Sequence, residues 1–293
     1  MTPSELSTLT TLACLIEAGA PKPGNVSPGR PFRDMGYEDF LASAVAIGPE
    51  LGMAGERSLG ATILAAIRAT RRWTPANTNL GIVLLFAPVA RAARRPGFPG
   101  TDLRSVVAAE LRETTGEDAR LTYAAIREAG PGGLGHAGAE DVAGEPTVSL
   151  REAMGLARDR DLIAREYVTD YALTFEVGAT AARAARVDGL EWSDVTVETF
   201  LRLLAQEPDS LIARKLGRPM AEEIRRQAEQ VVAAGGVRTP KGRTALTEFD
   251  GGLRDAQNTR NPGTTADLTA AAILVTLVED GWTIDRSRTA RAQ

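Results

Sequence analysis

Apolar residues in this chain recur three and four positions apart, and strict polar/apolar alternation is nearly absent. That period belongs to the α-helix, whereas a half-buried strand needs a period of two. Ala, Leu, Arg and Glu dominate the chain and are good helix formers. The first helix is explicit: Thr2 can cap, Pro3 suits a first turn and Glu5 completes a capping box. Leu6, Leu9, Ala13, Ile16 and Ala20 then form one apolar stripe, which Gly19 and Pro21 end. Helical patterns follow over 37–47, 58–71, 80–93, 101–114 and 117–128. Residues 130–146, rich in glycine and acids, read as loop. A long helical region is predicted over 150–187, broken near Gly178, with further helices over 193–206, 210–217, 220–234 and 265–278. No repeat and no splitting linker interrupts the series. The expectation is one compact all-α domain over 1–284 and a frayed polar tail over 285–293.

Composition removes several function classes. A net charge of -4 gives no reason to expect nucleic-acid binding. Cys14 is the only cysteine and lies in an apolar run, so it reads as a small core residue in a reducing compartment. His136 is the only histidine, which excludes a zinc site built from several His and Cys of one chain. It sits in a glycine-rich stretch and reads as a loop residue or a catalytic acid. The longest apolar stretch, 80–90, contains Pro88 and is too short to cross a bilayer. A cytoplasmic protein without a membrane or nucleic-acid partner is expected.

Five places can carry chemistry. In Pro21-Lys22-Pro23-Gly24-Asn25-Val26 the prolines hold Lys22 rigidly and Gly24 permits close approach to a ligand, a pattern that suits phosphate or a plain helix connector. Asn77-Thr78-Asn79 precedes an apolar helix and can cap it or hold a sugar or base edge. Glu166 and Asp170 stand one helical turn apart without local basic partners, whereas Asp161 has Arg165 four positions on. Stacked acids of this kind form a solvated face, pair with arginines distant in sequence, or share a hard cation such as Mg²⁺. Asp209 can cap the next helix, whose end carries Arg214 and Lys215, either as dipole partners or as phosphate ligands. Asn261-Pro262-Gly263 opens another helix, where Thr264 and Asp267 could form a capping box or the free amides could meet an anion.

Together and in this order, these pieces resemble the triphosphoribosyl-dephospho-CoA synthase family. Its proline-lysine-proline-glycine loop corresponds to Pro21 to Gly24, and its Asp-Met pair to Asp34-Met35. A Gly-Glu segment before Phe-Pro is similar, more loosely, to 140–146. Its Asp-Thr-Asn motif followed by Arg reads here Asp209-Ser210-Leu211 with Arg214, and its Ser-Pro-Gly-Gly-Ser-Ala-Asp-Leu reads Asn261 to Leu268. The family's Asn-Thr-His-Lys-Gly reads Asn77-Thr78-Asn79-Leu80-Gly81, so a His and a Lys are replaced. That form resembles a divergent branch associated with tetrahydromethanopterin-type cofactor synthesis.

The resemblance implies an all-helical enzyme that uses ATP and forms an α-ribosyl bond to a hydroxyl of a small-molecule cofactor precursor, while the expectation of Mg²⁺ comes from the paired acids Glu166 and Asp170. In the family proper the acceptor is dephospho-CoA and adenine is released. Such a displacement passes through an oxocarbenium-like state and needs a carboxylate near C1 and cations for the phosphates. Glu166, Asp170, Asp209 and Asp267 are the candidate acids and bases, with Glu166 and Asp170 also the candidate metal ligands. Lys22, Gly24, Asn25, Asn77, Thr78, Asn79, Arg214, Lys215, Asn261 and Gly263 are the candidate substrate and phosphate contacts. Two rivals use the same parts: a Mg²⁺-dependent ADP-ribosyl-type hydrolase, and a nucleotide-binding protein without catalysis.

Overall fold

Side-chain oxygens one position ahead of the apolar stripes start many of the helices. In the computed structural model, which describes residues 1–131 and 140–282, Thr2 and Glu5 close a capping box on α1 (Pro3–Gly19). The helices α2 (Tyr37–Gly52), α3 (Leu59–Arg71), α4 (Leu80–Ala93), α5 (Leu103–Arg112) and α6 (Gly116–Ala129) follow. Ser58 caps α3, Asp102 caps α5, and Thr115 with Asp118 boxes α6. Asp118 also accepts from the Gly60 N–H at 2.8 Å, and a Cβ on Gly60 would meet the Asp118 backbone, so α3 and α6 pack with almost no spacing. His136 and the tail from 285 lie outside the described residues.

The second half departs from the sequence reading in two places. The region 150–187 is not one helix broken at Gly178. It forms α7 (Leu150–Ala157), α8 (Leu162–Val168), a π-helical segment (Leu173–Ala179) and α9 (Thr180–Val187). The first break comes because Asp161 leaves the helix and caps α8, accepting from Ile163 and Ala164 N–H. It does not pair with Arg165, which reaches Glu207 at 3.0 Å. The second break comes at Asp170 and Tyr171, both with left-handed φ, 52° and 58°. The buried Tyr167 and Tyr171 hydroxyls donate to the Leu84 and Leu85 carbonyls and pin this turn to α4. Gly178 instead lets the π segment approach α14, where a Cβ would meet the Ala272 Cβ.

The chain continues through α10 (Trp192–Gln206), α11 (Ser210–Leu216), α12 (Arg218–Ala233), α13 (Pro240–Leu253) and α14 (Gly263–Asp280). Helix α13 has no counterpart in the sequence reading, because its glycines blur the apolar period. Gly242 is required there, since a Cβ would strike the Gly236 backbone. The described residues form a single all-α domain without a β-strand, and no helix among them is long and apolar enough to cross a membrane.

Helix α14 is the axis. It packs against α1, α4, α10 and the π segment, and from Thr264 to Val278 every residue is buried except Asp267. A helix apolar on all sides belongs inside a core. Its one opening is the carboxyl at position 267.

Candidate active site

A cavity of about 1270 Å³ opens at the end of α1 and is walled by the loop after it, the segment before α4, the α7–α8 turn, α11 and the start of α14. Single-ligand sites usually hold up to about 1,000 Å³, so two substrates fit side by side. Lys22, Asn25, Asn77, Thr78, Asn79, Arg214, Lys215, Asn261, Gly263 and Asp267 all line it, although they span most of the chain. Gly24, Glu166, Asp170 and Asp209 do not.

Asp267 has no hydrogen-bond or ion-pair partner among the described residues, and it does not form the expected capping box with Thr264. Enclosure lifts its carboxyl well above the ordinary carboxylate range, and the negative charges of Glu17, Asp209 and Asp161 add to this, while Arg214 opposes it. Gly81 on α4 makes room for it, since a Cβ at that position would occupy the space of the Asp267 carboxylate. Cys14 feels the same neighbourhood: burial raises its thiol, with Glu17 and Asp267 adding, so it is an inert core residue.

Lys22 is buried, and its ammonium is already engaged. It pairs with Glu17 at 3.0 Å and donates to the Glu17 and Ala20 carbonyls. The rigid Pro-Lys-Pro turn folds the side chain back over the end of α1, so the lysine caps that helix from within the cavity wall. Gly24 permits close approach as expected, but to protein: its N–H donates to Asp250 at 2.8 Å, and a Cβ would press on Leu253 and Pro262. The Asn25 amide donates to the Pro23 carbonyl. Asn79 exchanges hydrogen bonds with Thr70, Thr78 shares one with Ser43, and Asn77 caps α4 through the Leu80 N–H.

Asp209 and Ser210 join three helix starts. Asp209 is fully buried and accepts from the Leu211 and Ile212 N–H of α11 and from the Thr265 N–H and hydroxyl of α14. Burial raises its carboxyl against the pull of these donors. The Ser210 hydroxyl accepts from the Leu162 N–H of α8 and donates to Thr264. Asp209 is therefore a brace behind the cavity wall, not an acid within it. Asn261 lines the cavity, and its Oδ1 is buried without a hydrogen-bond partner. Gly263 lies close to α11, where a Cβ would meet Leu211.

Glu166 and Asp170 do not stack on one helix face. The helix that was expected to stack them ends at Val168. Both Glu166 oxygens accept backbone N–H groups, from Leu173 at 3.0 Å and Thr174 at 2.8 Å, which starts the π segment. Burial raises the Glu166 carboxyl, and those two donors oppose the shift. Asp170 lies 3.7 Å from Arg112, outside the cavity. Among the described residues no group of three His, Cys, Asp or Glu side chains is placed to hold a metal ion.

Several lining residues were not singled out from sequence. Arg160 and Arg218 line the cavity without an ion pair among the described residues, and Lys215 shares that condition. Burial and the neighbouring Arg214 push the Lys215 ammonium down. Phe32, Phe40 and Tyr123 supply apolar wall. The mixed-charge run from Arg158 to Asp161 was the available signal for Arg160, but it reads equally as a solvated face.

Comparison with known proteins places the chain in a family. The family model described as ATP:dephospho-CoA triphosphoribosyl transferase (CitG) matches residues 3–286. The crystal structure of a proposed triphosphoribosyl-dephospho-CoA synthase from Archaeoglobus fulgidus is similar at 30% identity and a TM-score of 0.63, covering 83% of this chain and all of that one. A search of curated proteins gives no match. With the family model matching almost end to end, this chain belongs to the ATP:dephospho-CoA triphosphoribosyl transferase family and is a transferase.

Proposed function

We propose that this protein transfers a phosphorylated ribosyl group from ATP to a hydroxyl of a small cofactor precursor, with Asp267 as the base. One observation carries the reading: a partnerless carboxyl, its proton affinity raised by its surroundings, faces a cavity large enough for donor and acceptor together. The acceptor oxygen forms a bond to ribose C1 as the C1–N bond to adenine breaks. The hydroxyl proton passes to Asp267, and the bonding pair leaves with adenine, which takes a proton from water. One displacement inverts C1, so a β-nucleotide gives an α-bond without a covalent glycosyl-enzyme intermediate. Arg160, Arg214, Lys215 and Arg218 balance the phosphates in the cavity wall.

The wall at Asn79 and Leu80 favours a particular acceptor. Asn79 is tied to Thr70 and Leu80 is apolar, so no cation stands where the family motif has His and Lys. A phosphate placed there loses water without gaining a partner. A ribitol-bearing aryl or pterin precursor, as in tetrahydromethanopterin-type cofactor synthesis, fits this wall better than dephospho-CoA. The test is adenine release from ATP with each acceptor in parallel. Turnover with the ribitol acceptor at least tenfold above dephospho-CoA is expected. Efficient use of dephospho-CoA returns the reaction named by the family, and adenine release without an acceptor indicates a hydrolase.

A further inference from the structure

We propose that Arg214, Lys215 and Arg218, grouped around the turn between α11 and α12, form a cradle for the polyphosphate of the nucleotide donor. The inference rests on the transfer reading above and specifies where the donor's charge is held. The three cations lie within five positions, on either side of Gly217, whose φ of 88° makes the turn, and all three line the cavity. Lys215 and Arg218 have no carboxylate within ion-pair distance among the described residues, and Arg214 approaches only Asp161, at 3.6 Å. The rest of α12 shows the opposite habit. Arg225 pairs with Glu222 and Glu229, and Arg226 pairs with Glu223. Pairing thus stops where the helix meets the cavity.

A helix-dipole role explains part of this cluster but not all of it. Arg214 and Lys215 stand in the last turn of α11, where cations are favoured. Arg218 is the first residue of α12, where the dipole disfavours a cation, and Gly217 supplies no side-chain cap to that helix start. A bound polyanion reconciles both. It neutralises three like charges that otherwise repel and meets the uncapped start of α12. A triphosphate carries enough charge for all three cations. Asp267 lines the same cavity as the three cations, so cradle and base face one bound donor.

Calorimetric titration with inorganic tripolyphosphate, without divalent cations, tests this independently of turnover. The unmodified protein is expected to bind. The double variant Lys215→Met, Arg218→Met is expected to lose at least tenfold in affinity, and Lys215→Arg, Arg218→Lys to regain most of it. Arg226→Met, which removes a paired arginine of the same helix, is expected to bind as the unmodified protein does. Circular dichroism establishes that each variant is folded. Undiminished binding by the double variant, no binding by the unmodified protein, or an equal loss in Arg226→Met overturns the cradle. If tripolyphosphate binds as expected but no acceptor supports adenine release, the transfer reading falls and the cradle stands.

Discussion

Asp267 is placed where a carboxylate is least comfortable, one turn into a helix otherwise sealed from water. Its raised pKa has a definite sign for stability. The unfolded chain ionises this group near the ordinary 3.8, the folded chain only at higher pH, so stability falls as pH rises through that window and then levels off. Asp267→Asn should therefore abolish adenine release while raising the melting temperature at neutral pH, by roughly 2–4 °C for each kcal/mol recovered. In the unmodified protein the rate should climb with pH through the raised pKa, as a base must be ionised. Calorimetric melts and a pH–rate profile check both. Gly81→Ala separates propensity from sterics. Alanine favours a helix interior by roughly 0.5–1 kcal/mol, yet its methyl displaces the Asp267 carboxylate. A folded protein with kcat reduced at least tenfold is expected. The motif residues were legible in sequence as chemistry-bearing residue types, and most of them, though not Gly24 or Asp209, line one cavity. Their individual roles were not, because sequence does not show that Lys22 already has Glu17, or Asn79 already has Thr70.

At the scale of elements, capping chemistry was the most readable feature. Thr2, Ser58 and Asp209 all cap as their residue types suggest. The region 150–187 was misread because its turns are set by distant partners. Tyr167 and Tyr171 hold a left-handed turn against α4, and Glu166 ends one helix and begins the π segment. The absence of local basic partners does not mark these acids as metal ligands: backbone N–H groups satisfy Glu166, and Arg112 stands 3.7 Å from Asp170. The double variant Glu166→Gln, Asp170→Asn should leave the metal dependence of turnover unchanged. It should cost roughly 1–3 kcal/mol in urea unfolding, since a glutamine amide presents N–H to at least one buried N–H that needs an acceptor. Altered metal dependence at full stability would put both residues back in the site. Helix α13 escaped notice for another reason: its close approach to 235–236 demands glycine, and glycine hides a helical period.

Across the whole molecule, Asp209 ties α11, from one apolar cluster, to α14, most of which belongs to another. The larger gathers α1–α8 and α14, and the smaller gathers α10–α13. Asp209→Ala removes one helix cap and leaves buried donors of α11 and α14 without an acceptor. A loss of at least roughly 3 kcal/mol is expected, seen as a lower urea midpoint at an unchanged slope. A variant as stable as the unmodified protein would falsify the bracing role. The brace also bears on which molecules the cavity admits. Because Asp209 fastens the helix bearing Arg214 and Lys215 to the helix bearing Asp267, the gap between cations and carboxyl is set before any ligand arrives. The cavity then works as a gauge of length: a molecule that touches both ends must carry its charge and its reacting carbon at that spacing, and one that is shorter or longer touches only one.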